Sequence, residues 1–227
     1  MPPSACYRCL MRLWTAAVLA LAVVVPAGAS DNAAELAQSL QRKYDTIHDF
    51  SADFVQTYKG GVLRKTVTER GHVLVKKPGK MRWDYTSPEK KLFVSDGIKL
   101  YSYVPADQQV RIDNVPKDDR GGAPILFLAG KGNLTRDFTA SLGEVPAGSP
   151  PESVALKLVP KTAQPDYDWL LLVVDRQSLT LRALVTMDAE GGQSSIAFAK
   201  LKENVNPADK EFAFNIPRGA DVINESR

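Results

Sequence analysis

The sequence predicts a mainly β fold: one antiparallel sheet of roughly eleven strands, curled into a barrel or a strongly bent sheet, with two helical pieces. Three observations carry that expectation. Between Val73 and Tyr103 three short runs of strand character are joined by Pro78-Gly79 and Asp96-Gly97, dipeptides suited to tight turns. The same two-residue rhythm returns between Val154 and Leu201. Only the stretches near Leu36–Ile47 and Pro124–Ala129 read as helix. A sheet of this many strands must curl, and its apolar face needs a cover that those helices alone can supply.

The first 29 residues are expected to be removed. Arg12 precedes the apolar run Leu13–Val25, and Pro26 and the small residues Ala27-Gly28-Ala29 follow. A basic start, an apolar stretch short of the ~20 residues of a membrane span, and an Ala-x-Ala ending make a cleavable secretory signal. Met11 offers an alternative start. Both cysteines, Cys6 and Cys9, lie in this segment. The mature chain 30–227, expected to be a single domain, then has no thiol and no cysteine at the cleavage point to accept a lipid. The whole chain holds 29 basic and 26 acidic residues; Arg8 and Arg12 leave with the signal, so the mature excess is one positive charge. That gives no electrostatic case for nucleic acid or an anionic membrane surface. About 198 residues suffice for one domain with a full core.

Along the mature chain, Ser30 or Asp31 can cap a helix whose apolar residues Leu36, Leu40, Tyr44 and Ile47 recur at steps of three and four. The period then changes to two, with Phe50, Ala52 and Phe54 on one strand face. A long strand is expected over Val62–Val75, with a bulge or bend at Gly71. In the next strand Met81, Trp83 and Tyr85 share one face, while Lys80, Arg82 and Asp84 share the other. Strands at Leu92 and Leu100 and over Gln109–Asn114 follow.

The region Val115–Pro151 interrupts this meander. Its one helix candidate, Pro124–Ala129, has proline at the first helical position and apolar residues on every side. Gly121, Gly122, Gly130 and Gly132 bracket it. Two readings stand: a buried core helix with flexible ends, or a hinged lid touching the sheet or a ligand. Further strands are expected over Val154–Val159, Asp168–Val174, Leu179–Met187, Gln193–Leu201 and finally Phe212–Ile216, ended by Pro217.

Catalytic chemistry finds little support. There is no Gly-x-Ser-x-Gly elbow and no mature thiol, and the only histidines are His48 and His72. No pair has metal-ligand spacing, Gly130-Lys131-Gly132 lacks the rest of a phosphate loop, and no cofactor is expected. No acid, base or nucleophile is interleaved with the aromatic face. Such a surface suits holding an apolar ligand.

The segment Val75–Tyr85 with Pro88, Val94-Ser95-Asp96-Gly97, Leu100-Tyr101, Tyr103, Pro105 and Gln109-Val110 resembles the periplasmic outer-membrane lipoprotein carrier family, LolA. The likeness extends to Phe50–Gln56, to Ala123–Leu126 and to Phe212–Pro217. It implies an incomplete β-barrel covered by an N-terminal helix and a short central lid helix, acting without enzymatic chemistry as a monomeric periplasmic chaperone. It implies acylated lipoproteins as cargo, an ATP-driven inner-membrane release complex as donor and an outer-membrane lipoprotein as acceptor. By motif position the cavity takes Met81, Trp83 and Tyr101, with Ile125 and Leu128 from the lid; Phe54 and Tyr85 join them by alternation. Family members usually carry arginine before the proline that here follows Lys77, and that arginine bonds lid carbonyls. Lysine lacks the fork geometry, so the latch is expected from Lys77 with help from Arg82. A LolA-like carrier of another amphiphile, such as a glycolipid, and a lipoprotein-sensing regulatory module are the alternatives.

Overall fold

The computed structural model describes residues 32–60, 65–115, 128–130 and 132–224. They lie in one compact unit, Asp31–Arg227. Residues 124–127 of the expected central helix, Ile125 among them, fall outside the described residues.

Helix α1 (Ala33–Thr46) opens on Asn32, whose side chain accepts from the Ala34 N–H at 3.0 Å. The cap is therefore Asn32 and not Ser30 or Asp31. Ala37 and Leu40 are the residues it buries, and Lys43 sits in its last turn, where a cation faces the helix's negative end. A one-turn helix, α2 (Leu134–Asp137), is capped by Asn133, whose side chain accepts from Thr135 and Arg136.

Twelve strands form one unclosed sheet. They are β1 (Asp49–Lys59), β2 (Thr66–Lys76), β3 (Lys80–Ser87), β4 (Lys91–Asp96), β5 (Lys99–Val104), β6 (Gln109–Asn114), β7 (Phe138–Gly143), β8 (Ser153–Pro160), β9 (Trp169–Asp175), β10 (Leu181–Met187), β11 (Gln193–Glu203) and β12 (Asp221–Asn224). Their spatial order is β12-β6-β5-β4-β3-β2-β1-β11-β10-β9-β8-β7, so short hairpins build two meanders that meet where β1 pairs with β11. All pairings are antiparallel except β12 on β6.

Register assigns the faces. Phe50, Ala52 and Phe54 oppose Val75, Val73 and Gly71 on β2, and these oppose Met81, Trp83 and Tyr85 on β3. This inner face packs with Ala37 and Leu40 of α1 and with Leu156, Leu170, Leu172 and Leu184 of the other meander. Gly71 shows why it is glycine: a Cβ there would overlap the Asp84 carbonyl oxygen and lie 2.8 Å from the Phe54 ring. The β2–β3 register shifts at that point, the expected irregularity.

Two features depart from the sequence reading. Strand β7 lies in the stretch read as an interruption, and among the described residues the strands number twelve. The expected strand Phe212–Ile216 does not form; Asp209–Phe212 is a 3₁₀ turn, and the last strand is Asp221–Asn224. The Phe212/Phe214 alternation is spent on packing instead. Phe212 is buried, and the Phe214 ring lies 5.2 Å from Tyr101 and 6.0 Å from Tyr103 on the outer face.

Candidate functional site

The inner-face aromatics form a packed array. Phe54 meets Trp83 and Tyr85 edge-on, each at 4.9 Å between ring centroids, and Tyr85 meets Phe93 at 5.5 Å. Phe198 of β11 closes the set at 6.3 Å from Trp83. Trp83 is only 1 % exposed, and its indole N–H has no partner among the described residues. At Tyr85 the face turns polar: its hydroxyl donates to Gln56 Oε1 at 2.6 Å, and Gln56 donates to Ser194 at 3.2 Å. Burial raises the Tyr85 phenol well above its ordinary range, with Glu69 adding to the shift.

A pocket lies beside this array, between α1 and strands β9–β11. Its inner end is made by Leu40, Phe50, Leu128, Leu134, Leu172 and Val174, and its lining is almost wholly apolar. The cavity volume is about 60 Å³, far below the roughly 300–1,000 Å³ of ligand sites. A long ligand therefore needs something to move. Leu128, 2 % exposed, lies in that lining, so a long ligand would have to displace its side chain.

Two described bonds hold the residues that follow Leu128. The Gly79 N–H donates to the Ala129 carbonyl at 2.8 Å, and the Gly130 N–H donates to the Tyr44 hydroxyl at 3.0 Å. Gly130 has φ +91°, where a side chain would be strained, and a Cβ would lie 3.1 Å from Lys77. Lys77 Nζ donates to the Tyr44 carbonyl at 2.6 Å and sits 3.1 Å from the centroid of the Tyr44 ring. Burial lowers the Lys77 ammonium to about 8, against a smaller upward pull from Asp45. Burial likewise pushes the Tyr44 phenol up, partly offset by the Gly130 bond. Among the described residues Lys77 thus holds Tyr44, and Tyr44 in turn holds Gly130. That connection runs through a helix side chain and was not visible in the sequence.

Phe54, Met81, Trp83, Tyr85 and Leu128 all belong to the buried inner cluster, but of these only Leu128 lines the pocket. Two expectations are corrected by register. Tyr101 opposes Val94, which opposes Arg82, so it stands on the outer face, where Phe214 covers it. Leu100, one residue earlier, packs against the inner cluster instead. Arg82 gives two bonds to the Asp84 carboxylate at 2.8 and 3.0 Å and reaches the Glu211 carbonyl at 3.4 Å. It faces away from the pocket, and among the described residues its side-chain bonds go to Asp84 and Glu211. His72 also stands outside, 3.1 Å from Asp53. Among the described residues no three His, Cys, Asp or Glu side chains gather as metal ligands do.

The pocket residues that sequence reading missed include Leu172 and Val174 on β9, Leu181 on β10 and Leu201 on β11. Strand β9 reads Trp-Leu-Leu-Leu-Val-Val-Asp with no alternation, because Leu171 and Val173 are buried on the outer face with Ala183 and Val185. A continuous apolar run carries no facing information. On α1, by contrast, the Leu40, Tyr44 and Ile47 spacing already marked the covering stripe.

A family model described as "Outer membrane lipoprotein carrier protein LolA" matches residues 45–215. The chain belongs to the LolA family. An outer-membrane lipoprotein carrier protein of Chromohalobacter salexigens is 32% identical over 215 residues, covering 93% of this chain and 97% of the relative. One from Methylobacillus flagellatus is 30% identical over 215 residues, covering 95% and 100%. Among solved structures, an uncharacterized conserved protein of Thermus thermophilus aligns with TM-score 0.52 at 15% identity, over 85% of this chain and 99% of the other. That likeness speaks to the fold alone, which for this LolA family member is the unclosed sheet with helical cover.

Proposed function

We propose that the chain is a periplasmic carrier that takes up the acyl chains of lipoproteins released from the inner membrane and brings them to the outer membrane. Residues 1–29 serve as its export signal, an ATP-driven release complex is the donor, and an outer-membrane lipoprotein is the acceptor. One observation carries the reading: an apolar inner face whose remaining pocket is roofed at Leu128, beside the described bonds from Gly79 to Ala129 and from Gly130 to the Tyr44 hydroxyl. The membership in a family of carriers supports it. The chemistry needed is burial alone.

The energetics suit carriage. Each methylene taken from water contributes ~0.8 kcal/mol, so one long chain contributes on the order of 10 kcal/mol before ordering costs. Against this, displacing Leu128 costs about 1.5–3 kcal/mol of burial, and breaking the two bonds costs about 1 kcal/mol each. Roof and cargo compete for the same surface, which lowers net affinity and permits hand-off.

The test is to purify the protein from the envelope of its host and identify the bound molecules by mass spectrometry. Acylated lipoproteins are expected. A glycolipid in their place would replace the cargo assignment. Leu128→Glu is expected to abolish retention of lipoproteins released from spheroplasts, and retention equal to wild type would remove Leu128 from the site.

A further inference from the structure

We infer that the acyl chain passes into the pocket sideways, through a portal between the last turn of α1 and the β9–β10 hairpin, with Leu179 as its lip. This rests on the carrier reading and adds to it a place and a residue.

The pocket is graded. Its inner wall is fully buried, whereas Lys43, Tyr44, Ile47, Leu179, Leu181 and Glu203 at the other end are half-buried, so the cavity reaches the surface there. Lys43 of α1 and Glu203 of β11 span that end as an ion pair. An ion pair at an apolar mouth is a closure that water can reopen, because its partners are solvated when parted.

Leu179 is the second, independent observation. Its φ of +56° lies in the left-handed region, which leucine seldom adopts. Glycine or asparagine would be the ordinary choice in such a turn. The hairpin is built to enforce the conformation. Asp175 Oδ1 accepts from the Ser178 N–H at 2.8 Å, the Ser178 hydroxyl at 2.9 Å and the Gln177 N–H at 3.2 Å. The Leu179 N–H donates to the Asp175 carbonyl at 2.9 Å, and Arg182 binds the other carboxylate oxygen at 3.1 Å. Strain held by so many bonds marks a position kept for its side chain. The side chain it keeps in place lines the mouth of the pocket. Lys43, freed from Glu203, supplies a donor for the first carbonyl of the entering chain.

Uptake of a dansyl-labelled undecanoic acid, followed by stopped-flow fluorescence and equilibrium titration, tests the portal. Leu179→Trp is expected to weaken binding at least tenfold by filling the mouth. Leu179→Gly, which relieves the strained φ and removes the lip, is expected to speed association several-fold. The opposed directions exclude misfolding as a common cause, and Val159→Trp, on an exposed outer-face position, is expected to match wild type. Wild-type uptake with both Leu179 variants unchanged overturns the portal while leaving the carrier reading in place. Wild-type protein that takes up no chain overturns the carrier reading and the portal with it.

Discussion

Replacing Tyr44 with phenylalanine should loosen the roof and tighten the grip on cargo. The hydroxyl accepts from the Gly130 N–H at 3.0 Å, while the ring supports the Lys77 ammonium 3.1 Å from its centroid. Phenylalanine keeps the ring, the helix and the cation–π contact, and removes the hydroxyl that accepts from Gly130. An amide left without its partner costs about 1–3 kcal/mol. Gly130 is half-buried, so water reaches it and the low end applies, about 1 kcal/mol. Because the closed roof competes with the ligand, apparent affinity for a long-chain fatty acid should rise by roughly fivefold as denaturant stability falls by about 1 kcal/mol. Titration and urea unfolding read the two quantities on the same sample. Ordinary core damage moves both downward. Loss of stability without any gain in affinity would refute the competition between roof and cargo.

Other perturbations reach different parts of the structure. Gly71→Ala would drive a Cβ against the Asp84 carbonyl and the Phe54 ring, and should cost more than 3 kcal/mol in urea unfolding; a loss under 1 kcal/mol would mean that the β2–β3 bulge adapts freely. For Lys77, burial lowers the folded-state value to about 8 from 10.5. Between those values the unfolded chain holds more protons on this group, so its contribution to stability rises with pH across that window. Thermal melts of wild type against Lys77→Met should diverge in favour of wild type from pH 8 upward, and parallel curves would place the ammonium in water.

The inner face was legible in the sequence where one side of the sheet is wet. Alternation placed Phe54, Met81, Trp83 and Tyr85 together because Lys80, Arg82 and Asp84 mark the opposite face in the same strand. Motif position, carried over from the family resemblance, misplaced Tyr101: both faces of β5 are covered, Leu100 packing on the inner side and Phe214 lying over Tyr101 on the outer, so the strand itself carries no facing information. The same blindness hid Leu172 and Val174 in a strand apolar throughout. Strand β7 escaped because Thr139, Ser141 and Gly143 leave only a weak alternation at a sheet edge. The Lys77–Tyr44–Gly130 connection joins three distant segments, and no local pattern announces such a meeting.

Lysine at position 77 changes how the roof can be held. An arginine there would offer a fork able to bind several carbonyls at once. The lysine is a point donor, and its one described side-chain hydrogen bond goes to the Tyr44 carbonyl, 33 residues earlier in the chain. Holding the roof then depends on α1 staying in place, since Tyr44 carries the hydroxyl that meets Gly130. The same last turn of α1 carries Lys43, which bridges to Glu203 at the pocket mouth. A small displacement of this one turn therefore weakens the Gly130 anchor and parts the Lys43–Glu203 pair together. Roof and mouth become coupled through a single element, and cargo that wedges between α1 and Leu179 would open both without any separate trigger.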